Sequence, residues 1–283
     1  DTLASGGNYN SLFGEDAGTA LTTGDTSVAI GYGALKTEDT NSENTAVGAE
    51  ALMTQNGADG NTAVGFRAGL DLTTGAGNVF VGAETAQNVV GGTDNVIIGK
   101  AAGGATTDVD KTVIIGRSAG AGVMTADADG TVAIGYQAGA AMTDPQDANE
   151  VSVFIGYQAG NANTIGSANI ALGYQALLTN VASGRNTAIG FQSLKASTNG
   201  SAADYFNTAV GYKSGVALTS GTHNTFIGGR AGIGTQLVDK TVIIGAEAGE
   251  GVMTADADGT IAIGYKAGTA ITSGEHNTAI GFE

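Results

Sequence analysis

Two short acidic stretches hold the residues best placed to do chemistry. The segment Thr-Ala-Asp-Ala-Asp-Gly-Thr occurs twice, setting Asp127 and Asp129 in one copy and Asp256 and Asp258 in the other. Carboxylates on alternate residues beside a glycine turn offer hard oxygen ligands of the kind that can begin a Ca2+ site. The spacing of a full EF-hand loop, with its distant Glu, is missing, so the competing reading is a solvated acidic turn. Ca2+ is the one cofactor the residues suggest. Asp108 and Asp110 repeat the alternation more weakly. His223 and His276 are the only histidines, each five residues before a recurrent glycine, and both read as surface decoration. No Ser–His–Asp constellation can be argued from these positions. Cysteine is absent, which removes disulfides, thiol nucleophiles and Cys-based metal sites together. Glycine-rich stretches such as Gly99–Gly104 lack the Lys-Ser/Thr ending of a phosphate loop. The residues therefore suggest no catalytic site, and the expectation is a protein that is not an enzyme.

What positions these residues is a repeat. Sixteen glycines share one local setting, at Gly14, Gly31, Gly48, Gly65, Gly82, Gly99, Gly116, Gly135, Gly156, Gly173, Gly190, Gly211, Gly228, Gly245, Gly264 and Gly281. Eleven of the fifteen gaps are 17 residues, two are 19 and two are 21. A fixed period implies units that bury apolar surface only against their neighbours. The expectation is one continuous array over residues 1–283, all-β, a β-solenoid or β-roll of about sixteen coils. Insertions of two or four residues preserve the alternation of an extended chain. A longer period also exists: Thr112–Gly139 and Thr241–Gly268 match at 23 of 28 positions, 129 residues apart. That duplication suits a spacer better than a catalytic pocket.

Within the coil, the residues one and three before each glycine are mostly Ile, Val or Thr, a strand-like composition. They share parity, and their size predicts that they face the coil's core. Thr45, Thr62, Thr187, Thr208, Thr225 and Thr278 would then point inward, against an ice-binding Thr ladder. The residue between them is never polar, and includes Phe80, Ile97, Ile114, Phe154, Phe226 and Ile243. A strand apolar on both faces is buried on both faces. These six are therefore expected to pack between identical chains. Four before the glycine stands Asn, Ser or Thr in every unit, a candidate hydrogen-bonded corner. After the glycine the residue is aromatic in nine of sixteen units, which admits a carbohydrate-stacking ladder, although packing between coils is the commoner use. A 17-residue coil has room for two short strands and two turns.

Composition bounds the partners. Net charge is −16 with only 13% charged residues, which disfavours phosphate backbones and hence nucleic acid. No run of 18 apolar residues occurs, so no membrane-spanning helix is expected. The 48 glycines come with one proline and no Gly-X-Y period, which excludes collagen.

Blocks such as Ser27-Val28-Ala29-Ile30-Gly31 and Thr131-Val132-Ala133-Ile134-Gly135 resemble the head repeats of trimeric autotransporter adhesins, the YadA-like head. The fuller unit, Asn207–Gly221 continuing into Asn224-Thr225-Phe226-Ile227-Gly228, is similar to repeats of phage tail fibres and related surface fibres. The adhesin head unit is shorter than the 17 residues found here. The resemblance covers nearly the whole chain and implies a homotrimer of β-rolls serving as shaft or adhesive head. It implies an extracellular, cell-surface or virion location, and a segment of a longer fibre. The partners would be further copies of the chain, some stacked end to end, and a surface glycan or protein receptor. The alternative is a monomeric solenoid that binds ice or glycan.

Overall fold

The computed structural model describes residues 7–145, 150–198 and 204–283. The chain divides into two compact units, Asp1–Gln137 and Ala138–Glu283. Both are built from the same coil. The first carries β1 (Ser11–Phe13), β2 (Val28–Ile30), β3 (Thr45–Val47), β4 (Thr62–Val64), β5 (Val79–Val81), β6 (Val96–Ile98), β7 (Val113–Ile115) and β8 (Val132–Ile134). The second carries β9 (Val153–Ile155), β10 (Ile170–Leu172), β11 (Thr187–Ile189), β12 (Thr208–Val210), β13 (Thr225–Ile227), β14 (Val242–Ile244), β15 (Ile261–Ile263) and β16 (Thr278–Ile280). Within each unit the strands pair in parallel and in chain order, with like columns in register, as in Ala63↔Phe80↔Ile97 and Ala209↔Phe226↔Ile243. The fold is a β-solenoid.

Each strand ends at a recurrent glycine, and the reason is steric. Gly31 has φ 129°, and a Cβ placed on it would stand 2.6 Å from the Gly48 carbonyl carbon of the next coil. No side chain fits a left-handed backbone stacked that closely. The two residues at +2 and +4 from the glycine are also left-handed, for example Gln175 at 54° and Leu177 at 49°. An alternation of that kind cannot be extended, so the return path is a run of turns. Each coil therefore has one strand, and the expected second strand does not form among the described residues.

The direction of the side chains is the reverse of the sequence expectation. The middle residue of the strand points into the coil's own core: Phe80, Ile97, Ile114, Phe154, Phe226 and Ile243 are all 0% exposed within one chain. They do not form an inter-chain face. The flanking Ile, Val and Thr columns are the ones turned outward, half-buried or exposed in every strand of both units. Thr45, Thr62, Thr187, Thr208, Thr225 and Thr278 point outward with them. A three-residue strand gives the core one side chain and the surface two.

The interior is narrow enough to enforce size compensation. Where the strand supplies Phe154 or Phe226 the +4 position of that coil is Gly160 or Gly232, and where it supplies Phe80 it is Ala86. The +4 position of the coil before Phe80 and Phe226 is also glycine. A Cβ on Gly69 would lie 2.7 Å from Phe80, and one on Gly215 would lie 2.8 Å from Phe226. Where +4 is Leu35, Leu52, Leu177 or Leu194, the strand of that coil supplies only Ala29, Ala46, Ala171 or Ala188. No coil places a large side chain on both sides. The corner beside it is held by the Asn column. Asn61 Oδ1 accepts the Asn78 backbone N–H (3.0 Å), Asn78 Oδ1 accepts that of Asn95 (3.0 Å), and Asn95 Oδ1 that of Thr112 (3.0 Å). The amide nitrogens reach across the coil, Asn61 Nδ2 to Gly75 O at 2.8 Å and Asn78 Nδ2 to Gly92 O at 2.7 Å. Buried backbone groups are thus paired at each step.

Candidate functional site

The most apolar outward feature of each unit is its sheet face. Both outer columns run the length of the unit, one Ile, Val, Leu or Phe beside one Ile, Val, Thr or Ser in every coil. Exposure reaches 40% at Ile30 and 43% at Leu172, and Ile170 and Ile227 are similarly open. A contiguous, largely apolar stripe is the kind of surface on which interaction sites are found. Sequence reasoning recognised a second apolar face but assigned it the wrong column. The usable signal was the size compensation between the middle strand residue and +4, which shows that those two share a cavity.

In the second unit an aromatic column lies next along the chain from this face. Tyr157, Tyr174, Phe191 and Tyr212 stack with centroids 5.1, 5.0 and 5.4 Å apart and interplanar angles of 9°, 7° and 18°. All four remain exposed. Beside them the Gln158, Gln175 and Gln192 amides join in a ladder with N···O distances of 3.0 and 2.9 Å. Because the rings turn their faces to each other, only their edges are offered outward. Sugars stack on ring faces, so the carbohydrate-ladder reading loses its geometry in this stretch.

The acidic turns prove to be corner devices. Ala126–Ala128 and Ala255–Ala257 form matching 3-10 turns, each followed by an aspartate. Asp129 Oδ1 accepts the Asp110 backbone N–H at 2.7 Å, and Asp258 Oδ1 that of Asp239 at 2.8 Å. Burial raises the Asp129 carboxyl above its ordinary value, opposed by that same hydrogen bond, with the nearby Asp110 charge adding to the rise. Asp127 and Asp256 point into solvent instead. Each pair is therefore split between a structural acceptor and a free carboxylate. Among the described residues no three His, Asp or Glu side chains gather as a group able to hold a metal ion. His223 and His276 occupy left-handed corners at φ 59° and 58°, both exposed, His223 against the Phe206 ring at 5.2 Å.

Other charges pair between coils on the outside, Arg67 with Glu50 at 2.6 Å, Lys36 with Asp16 at 2.8 Å, and Arg230 with Glu250 at 2.5 Å. Arg185 joins Glu150 at 2.8 Å and also Asp204. Pairs so exposed contribute little to stability. Among the described residues no helix is long and apolar enough to cross a membrane.

Comparison with protein-family models, with curated proteins and with solved structures finds no match for this chain. Functional inference therefore rests on the geometry of the outward face.

Proposed function

We propose that this chain is a segment of an attachment fibre, the shaft or head of a cell-surface adhesin or viral tail fibre, acting outside the cell as a homotrimer. The observation that carries the reading is the outward Ile/Val/Thr stripe of each unit. It is uncharged while the chain carries −16, and it repeats coil by coil at strand spacing. A partner that covers it must be as long and as periodic as the stripe itself. Another copy of the same chain has that property. The inter-chain contacts in this reading are made by residues such as Ile30, Ile98, Leu172 and Ile227, and the six core side chains take no part. Lengthening by a block of coils, visible in the 129-residue duplication, extends such a fibre without disturbing it.

The test is mass in solution by sedimentation, with Leu172→Asp and Ile189→Asp introduced together. The unmodified chain is expected at three copies, and the variant at one with its coils still folded. A monomeric unmodified chain, or a trimer indifferent to the two aspartates, would overturn the reading. The outward threonines favour one second reading, an ice-binding solenoid, more than their expected inward position did. Against it, the column beside them contains no threonine at all. Thermal hysteresis in dilute solution would decide for ice.

A further inference from the structure

Among the described residues one carboxylate is fully buried. Glu38 sits in the inward column seven residues after the glycine, where neighbouring coils carry Leu21, Gln55 and Leu72. It is 0% exposed. One carboxylate oxygen accepts the Asn41 backbone N–H at 2.8 Å. The other is approached by Asn44 Nδ2, at 3.5 Å, a nitrogen also shared with Gln55 Oε1 at 3.5 Å and Ala58 O at 3.0 Å, and the Asn41 side-chain amide also bears on the carboxylate. Gln55 Nε2 also donates to Ala58 O. The carboxyl thus lies among neutral amides, fully buried and with no cation in the cluster.

No cation offsets the carboxylate. The coil before contributes Leu21, and the coil after contributes the neutral Gln55 and the Asp59 charge, which opposes ionisation. On its own coil Asp39 lends a backbone N–H, while Lys36 is engaged outside by Asp16. Among the described residues Glu38 has no ion pair.

We propose that the Glu38 cluster is an acid-closed joint in the first unit. With a proton on the carboxyl, no charge is held in the closed interior and the coils carrying β2 to β4 lock together. When the proton leaves, a charge without an ion pair is held in the closed interior and these coils open more readily. Burial pushes the Glu38 carboxyl above the ordinary value of 4.5, against the opposing bonds from Asn41. The folded form therefore keeps its proton to higher pH than the unfolded chain does. The stabilisation is fully present below the ordinary carboxylate value and is lost as pH rises through the raised one.

The experiment is amide hydrogen exchange on the whole chain between pH 4 and 8, corrected for intrinsic exchange. The readout is the coil-to-coil amides of Leu35, Gly48 and Leu52, which bond to Ala51 O, Ile30 O and Ala68 O. Their protection is expected to fall with rising pH by about tenfold for each unit separating the folded and unfolded pKa. Glu38→Gln should remove that dependence, and Glu38→Leu, the residue of the same column in two nearby coils, should do so too. The polar cluster of Asn163 and Asn180 in the second unit contains no titratable group in its hydrogen bonds and serves as the internal control. The joint is overturned if protection around Leu35 and Leu52 is flat with pH, if it rises with pH, or if both variants retain the slope.

Discussion

The coils carrying β9 and β10 lie side by side in the second unit, with Phe154 and Ala171 in register, yet they fill their interiors from opposite sides. In the β9 coil Phe154 comes from the strand and Gly160 stands opposite, at φ 56°. In the β10 coil the strand gives Ala171, and Leu177 enters from the return path at φ 49°. A leucine in the left-handed region is strained by about 1–2 kcal/mol. Full burial of the same side chain returns roughly 1.5–3 kcal/mol. The exchange shows that the period fixes a volume and leaves open which element fills it.

The harshest way to break this comparison is to charge the strand side. Phe154→Asp would place a carboxylate without partners in a closed apolar space, and the second unit is expected to lose cooperative folding altogether. Loss of its circular dichroism and of amide protection would show this. A variant that stays folded and merely changes its association would return Phe154 to an inter-chain face and overturn the packing described above.

A sharper test converts one kind of coil into the other. Phe154→Ala alone leaves a void and is expected to cost about 3–5 kcal/mol. Gly160→Leu alone drives a side chain into the Phe154 ring, where even a Cβ already clashes. Together the two changes recreate the β10 arrangement, so the double variant should regain most of what each single variant loses. Denaturant midpoints for the cycle give the coupling directly. Additive losses would mean that the two positions do not share one cavity.

Much of this coil can be read in the sequence, and one part cannot be read by hydropathy. The strand positions follow from the Val-Ala-Ile-Gly type blocks, and the stacking register from a 17-residue period. The Asn corner was visible because polar residues recur at one column inside an apolar run. The acidic turns around Asp129 and Asp258 could be read either as ligands or as turn acceptors, and their hydrogen bonds show the acceptor role. The inside–outside sense was not visible, because all three strand columns are apolar. Large β-branched residues such as Ile98 and Ile115 suggest core, yet the cavity receives one side chain per strand and takes it from the column that is most often alanine. Only the rule that no coil carries a large side chain both at the strand middle and six residues later, as in Phe154 with Gly160 and Ala171 with Leu177, distinguishes the column facing the core. Glu38 is the acidic member of a column that mixes Leu21 and Leu72 with neutral polar residues such as Gln55, Asn163 and Asn180, a deviation in charge that a reading by averaged columns hides.

The smallest effect asks what the two kinds of coil have in common. Asn78 serves a phenylalanine coil and Asn186 a leucine coil, and both bind the coils on either side. Asn186 Oδ1 accepts the Asn207 N–H at 3.2 Å, while Asn186 Nδ2 reaches Gly184 O at 3.1 Å. If the corner sets the register independently of how the interior is filled, Asn78→Ala and Asn186→Ala should cost the same. Each is expected to lose about 1–3 kcal/mol, the cost of leaving buried backbone groups unpaired. Denaturation of the two variants side by side measures the difference. Equal losses make the Asn corner a frame that tolerates either packing. A loss clearly larger in the Phe80 coil would instead tie the corner to the ring beside it, and the two coils would then differ in more than the side from which they are filled.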